Sequence, residues 1–172
     1  QQRCHLVLRH WLKCAIDCIP DQKHIVAIMT MLTAREDAQP CVHFKGVEVR
    51  RFQQQLYVMP KLLPHDSHQQ WEWDLQSDFV LPNQLGTLTL SELHTLFGNR
   101  LPYASLTIRF RQGGERFGLP GRNHSVSLKQ YLHTQQVQPW LRDRVPLLYD
   151  HNELVAIWGL TCTEVVARQE LT

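Results

Sequence analysis

Apolar residues recur at helical spacing in the first 32 residues and at two-residue spacing beyond residue 41. This change of period limits the chain to a fold that joins helices to antiparallel strands. Val7, Trp11, Cys14 and Cys18 stand four, three and four apart, with Leu8, Leu12, Ala15 and Ile19 on the neighbouring row and Arg9, Lys13 and Asp17 opposite. That is an amphipathic helix. Pro20 forces Ile19 out of helical geometry, so Asp21 is placed to cap a second helix carrying Ile25, Ile28, Met29 and Leu32 on one face. Beyond Pro40, the pairs Val42 and Phe44, Val47 and Val49, and Leu56 and Val58 alternate with polar residues around Gly46, as short antiparallel strands do.

The stretch 61–70, with Pro64, Asp66 and Ser67, reads as a linker. Trp71 to Ser77, Phe79 to Leu81 and Thr87 to Leu90 are then short strand candidates separated by Pro82, Asn83 and Gly86. Leu106, Ile108 and Phe110 alternate with Thr107, Arg109 and Arg111, so a strand there buries its apolar side and turns two arginines the other way. A glycine-containing loop, 112–125, leads to a helix whose start is marked by Ser127 with Gln130, a capping box, and by Val126 with Tyr131, a hydrophobic staple. Pro139 opens a helical turn carrying Trp140, Arg142 and Arg144. Leu147 to Tyr149 and Glu153 to Trp158 flank a turn as a hairpin, and Thr161 to Val166 follows as a last strand. The expected architecture is α+β in two small domains: residues 1–60, a helical pair with a short antiparallel sheet, and residues 71–172, a mixed sheet with one or two helices.

Charge is unevenly distributed. From Arg109 to Arg144 seven basic residues face two acidic ones, whereas from Pro60 to Arg100 two basic residues face five acidic ones. A concentrated positive region on a chain of net charge +2 suits a polyanion. The amides ahead of Ser127, with Arg122, Asn123 and Ser125 beside them, form a plausible phosphate cradle, although the glycines there serve equally well for tight turns. The loop fits neither the Walker pattern nor Gly-x-Gly-x-x-Gly.

Catalytic patterns are missing. The sequence holds no Gly-x-Ser-x-Gly elbow and no His-Glu-x-x-His helix, and its ten histidines are dispersed, with only His124 falling in the basic loop. Five cysteines in a chain of this length favour reduced thiols and a cytoplasmic setting. Cys14 and Cys18, with His10 and His24 near, are better read as small apolar groups on a helix than as zinc ligands, so no metal is expected. No apolar run reaches membrane-spanning length. The chain, starting on Gln, reads as a piece of a longer one.

Pro120-Gly121-Arg122, Ser127-Leu128-Lys129, Pro139-Trp140-Leu141-Arg142-Asp143-Arg144-Val145-Pro146-Leu147-Leu148-Tyr149 and Leu154-Val155-Ala156 together resemble the C-terminal domain of bacterial tRNA(Ile)-lysidine synthetase. Ala34-Arg35-Glu36-Asp37-Ala38, Pro40-Cys41, Glu48-Val49-Arg50-Arg51 and Gln55-Leu56 are similar to that family's middle, substrate-binding domain. The resemblance implies a parent ligase that uses ATP and Mg to attach lysine to the wobble cytidine of a tRNA(Ile) with a CAU anticodon. Its catalytic domain carries a Ser-Gly-Gly-x-Asp-Ser loop that is absent here, so this portion is expected to have no catalytic residues and no cofactor of its own. It implies RNA backbone contacts at Arg109, Arg111, Arg122, Lys129, Arg142 and Arg144, and at Arg35, Arg50 and Arg51 in the first domain. Gln130 stands where the family often has a second lysine. Arg142 and Arg144 have an alternative role, pairing with Asp143 or Asp150 to brace the fold. Two other readings stay open: a protein-interaction module with a basic face, and a homodimerisation element if the apolar strand from Leu154 to Leu160 lies at an open edge.

Overall fold

The computed structural model describes residues 2–17, 19–35, 38–98, 101–121 and 124–163. The chain divides into two compact units, residues 1–63 and 64–172.

The first unit opens with helices α1 (Gln2–Ile16) and α2 (Gln22–Leu32), followed by strands β1 (Cys41–Phe44), β2 (Val47–Phe52) and β3 (Gln55–Pro60). The strands form one antiparallel sheet in sequence order. Lys45 and Gly46, both at positive φ, make the two-residue turn between β1 and β2, the geometry whose twist matches paired strands. Leu8, Leu12, Ile25, Ile28, Met31, Phe44 and Val49 make the core.

The helices face the core differently from the expectation. On α1 the buried row is Leu8 and Leu12, with Trp11 half-buried, while Val7 is 67% exposed and Cys14 is exposed. Cys18 lies outside the described residues. Two adjacent apolar rows compete on that helix, and α2 and the sheet take the Leu8–Leu12 row. On α2, Met31 is buried and Leu32 points outward at 38% exposure. Asp21 occupies the N-cap position of α2 but makes no side-chain cap; its carbonyl accepts from the His24 and Ile25 amides instead.

In the second unit β4 (Trp71–Trp73), β7 (Leu106–Arg109), β10 (Leu147–Asp150), β11 (Glu153–Ile157) and β12 (Thr161–Cys162) form a sheet in the order β12-β11-β10-β7-β4. The α+β class is borne out, but every described pairing in this sheet is antiparallel, not mixed. Short hairpins β5–β6 (Phe79–Val80, Thr87–Leu88) and β8–β9 (Arg116–Gly118, Ser125–Ser127) flank it, with α3 (Leu90–Phe97) and α4 (Leu128–Thr134). Hairpin β8–β9 lies where a continuous loop was expected, and α3 was not anticipated.

Both faces of this sheet are covered, which explains the unbroken apolar run of β11. Leu148, Val155 and Ala156 join a core with Trp73, Leu93, Phe97, Leu106, Ile108 and Phe110, whereas Leu147, Leu154 and Ile157 join Phe117, Leu128 and Leu132. A strand with two buried faces needs no alternation. β11 is also an interior strand, paired with β10 on one side and β12 on the other, so it offers no open edge for a second copy. Of the strand expected over Thr161–Val166, Thr161–Cys162 is observed, and the part after Thr163 lies outside the described residues.

Of the expected linker 61–70, residues 64–70 belong to the second unit. The His65 ring packs edge-on against Phe110 at 4.3 Å, and the Gln112 side chain donates to the Ser67 carbonyl.

Candidate nucleic-acid interface

Leu106, Ile108 and Phe110 are buried and place Arg109 and Arg111 on the opposite side, as their alternation requires. The two arginines then diverge. Arg109 stacks over the Tyr149 ring at 4.7 Å and donates to the His151 carbonyl, so it braces the β10–β11 turn. Arg111 donates through Nη1 to Asp143 Oδ1 at 2.7 Å.

That ion pair ties the end of β7 to the 3-10 turn Arg142–Arg144. The turn separates two hollows. One, of about 510 Å³, is lined by His65, Ser67, Arg111, Gln112, Gly113, Trp140, Asp143 and Arg144. The other, of about 330 Å³, is lined by Ser127, Lys129, Gln130, His133 and Arg142. Lys129 is exposed, and Arg142 reaches it from a fixed position because its Nε donates to the Val137 carbonyl at 2.9 Å. Burial, and then the charge of Arg111, lower the Arg142 pKa from its usual value. Cationic groups crowded at one place on a fold are held against their own repulsion, which suits an anion from outside.

The start of α4 follows its signature: Ser127 Oγ accepts from the Gln130 amide, and Val126 and Tyr131 both pack on the Phe117–Leu128 cluster. The expected cradle just ahead of it is less open than the sequence suggests. The Leu128 amide donates to the Glu115 carbonyl, and Arg116 binds Ser125 through both its hydroxyl and its carbonyl. Arg122 and Asn123 lie outside the described residues. Nearby, the amides of Gln112 and Gly113 both donate to Glu115 Oε1, so that turn, made possible by Gly113 and Gly114 at positive φ, is filled by the chain's own carboxylate.

In the first unit the three arginines separate by role. Arg51, on the helix side of β2, donates to the Ala34 and Met31 carbonyls and thereby closes the C-terminal end of α2. Arg50, on the opposite side, binds Glu48 through Nε and Nη2, each at 2.8 Å. Arg35 is exposed. The same outer side gathers Cys41, His43 and Glu48, whose potential ligand atoms lie within 4.8 Å of one another. Arg50 already neutralises the Glu48 carboxylate there, and burial raises the Cys41 thiol pKa, so the set is poorly suited to a cation. Cys14 Sγ lies 3.6 Å from His10 Nε2.

Sequence reasoning missed His65, Ser67, Gln112 and His133 as site residues. Nothing in 64–70 signals that it folds onto Phe110. No helix among the described residues is long and apolar enough to cross a membrane.

Fold and surface together define a two-unit α+β protein whose second unit gathers cationic side chains around the Arg142–Arg144 turn. Residues 1–57 match the TilS substrate binding domain and residues 106–171 match the TilS substrate C-terminal domain. Among curated relatives, tRNA(Ile)-lysidine synthase of Coxiella burnetii is 32% identical over 165 residues, covering 95% of this chain and 37% of the relative. The enzyme of that name from Edwardsiella ictaluri is 32% identical over 162 residues, covering 93% and 36%. That of Xanthomonas campestris is 34% identical over 151 residues, covering 87% and 34%. The chain belongs to the tRNA(Ile)-lysidine synthase family, and it spans little more than a third of the length of these relatives.

Proposed function

We propose that this chain is the tRNA-holding portion of a tRNA(Ile)-lysidine synthase, gripping the RNA backbone so that a distant wobble cytidine reaches a catalytic centre elsewhere in the protein. The observation that carries this reading is the Arg142–Arg144 turn, which aims one arginine beside Lys129 and another beside Arg111. Double-helical RNA hides its base edges in a deep, narrow groove, so a holding surface works through phosphates and hydroxyls. The Arg142 guanidinium, held by the Val137 carbonyl and, at 3.4 Å, by His133 Nδ1, keeps its remaining N–H groups in a planar fork suited to a phosphate. Arg111, Lys129, Arg142 and Arg144 form this contact set, with Arg122 and Arg35 as further members.

The activity proposed for the whole protein is ligation of lysine to the wobble cytidine of tRNA(Ile) bearing a CAU anticodon, with ATP and Mg, in the cytoplasm. The Ser-Gly-Gly-x-Asp-Ser run associated with the ATP pyrophosphate does not occur in this sequence, so its residues orient the substrate and carry out no bond-making step.

Substitution tests the assignment residue by residue. Lys129→Ala and Arg142→Ala should each weaken tRNA binding and reduce the slope of log K against log salt by about one phosphate contact. Slopes equal to that of the unmodified chain would remove both residues from the interface.

A further inference from the structure

The 510 Å³ hollow has a composition that a grip on duplex backbone does not require. Backbone contact needs cations that a duplex can reach, as exposed Lys129 is. Here Arg111 and Arg144 share a concavity with Trp140. Stacked, paired bases cannot enter such a space. An unpaired one can, because every base has a π-face and an indole stacks on any of them.

Two residues of the hollow also carry buried polar atoms without a hydrogen-bond partner among the described groups, Arg111 Nε and His65 Nε2. Leaving such atoms unpaired is unfavourable, and a turn of either side chain towards a polar ligand in the hollow would relieve it. The walls are held in place: Arg111 is clamped by Asp143, the His65 ring rests on Phe110, and Gln112 is tied to Ser67. A preformed wall lowers the ordering cost of binding.

From this geometry we infer that the hollow between Trp140, Arg111, Arg144 and His65 receives one unpaired nucleotide of the bound RNA, its base on the Trp140 ring and its phosphate against Arg111 and Arg144. The inference rests on the RNA-holding function proposed above and adds a single-strand subsite to it. The cationic side chains of Lys129 and Arg142 then grip duplex, while the hollow selects RNA in which a duplex runs into unpaired chain.

Two RNAs test it: a blunt-ended duplex, and the same duplex carrying a short unpaired 3′ overhang. The unmodified chain should bind the overhang form at least about fivefold tighter, the lower end of what one stacked base contributes. Trp140→Leu should abolish that preference while keeping duplex binding, Trp140→Phe should retain it, Arg144→Gln should weaken the overhang form more than the duplex, and Lys129→Ala should weaken both RNAs alike. Thermal unfolding identifies any variant that fails to fold, and the Arg144→Gln and Lys129→Ala pair then carries the comparison. Equal affinity of the unmodified chain for the two RNAs, with salt-sensitive duplex binding intact, would overturn the subsite and leave the holding function standing. Failure to bind either RNA would overturn both.

Discussion

Arg51 and Lys129 carry the same charge, and family resemblance assigns them the same task, but their surroundings separate them. Arg51 spends its guanidinium on two main-chain carbonyls at the end of α2, whereas Lys129 stands exposed at the rim of a hollow. Replacing Arg51 by Ala leaves those carbonyls without their partner and should cost about 1–3 kcal/mol in a denaturant melt, with the salt slope of RNA binding unchanged. A shallower slope in that variant would return Arg51 to the interface. The count of arginines was legible in the sequence, and so was their concentration between Arg109 and Arg144. Which of them face a carbonyl was not, because that depends on segments brought together from distant positions, as β2 is brought to α2. His65 illustrates the same point. Burial lowers its pKa below the ordinary 6.5, ahead of the opposing hydrogen bond from the Asp143 main chain. The folded state thus binds a proton less readily than the unfolded one. Its contribution to stability is present above pH 6.5 and is lost as pH falls below that value towards the folded pKa. Melts of the unmodified chain and of His65→Gln across pH 7.5 to 5 should converge as pH falls, and parallel curves would refute this role.

Elements were recovered best where a local signal and a tertiary partner agree. The Leu106–Phe110 alternation, the hairpin around His151 and Asn152, and the Ser127 cap on the Gln130 amide all rest on local sequence, and each stands in the structure. Helix α3 had such a signal as well. Thr89 Oγ1 accepts from the Glu92 amide and its hydroxyl donates to the Glu92 carboxylate, yet the β-branched run before it reads as strand and masks the cap. Thr89→Ala should therefore destabilise the second unit by about 1 kcal/mol, and Leu93→Ala, which opens a cavity at the fully buried centre of α3, by about 2–5 kcal/mol. Comparable losses for the two would mean that α3 is held by its cap more than by its packing. The inward row of α1 was not legible, since Val7-Trp11-Cys14 and Leu8-Leu12 are both apolar and only the neighbouring elements choose between them.

At the scale of the molecule, each unit has its own core, and the cationic side chains around the Arg142–Arg144 turn belong to the second. The first unit's Arg50 and Arg51 are engaged within it, and the RNA-holding surface proposed above centres on the second unit. The hairpin β10–β11, fully flanked in its sheet, gives that surface a stiff foundation: the Arg142–Arg144 turn enters β10 within three residues. Under the proposed function a rigid support matters, because misplacement of a distant reacting group is costly. The proposed grip on the tRNA backbone is checked by titrating the chain with tRNA(Ile) across a series of salt concentrations. Log K should fall linearly with log salt, with a slope of about −0.7 to −0.9 for each phosphate contact and a total equivalent to several contacts. Binding that is insensitive to salt, or no binding at any salt concentration, would contradict it.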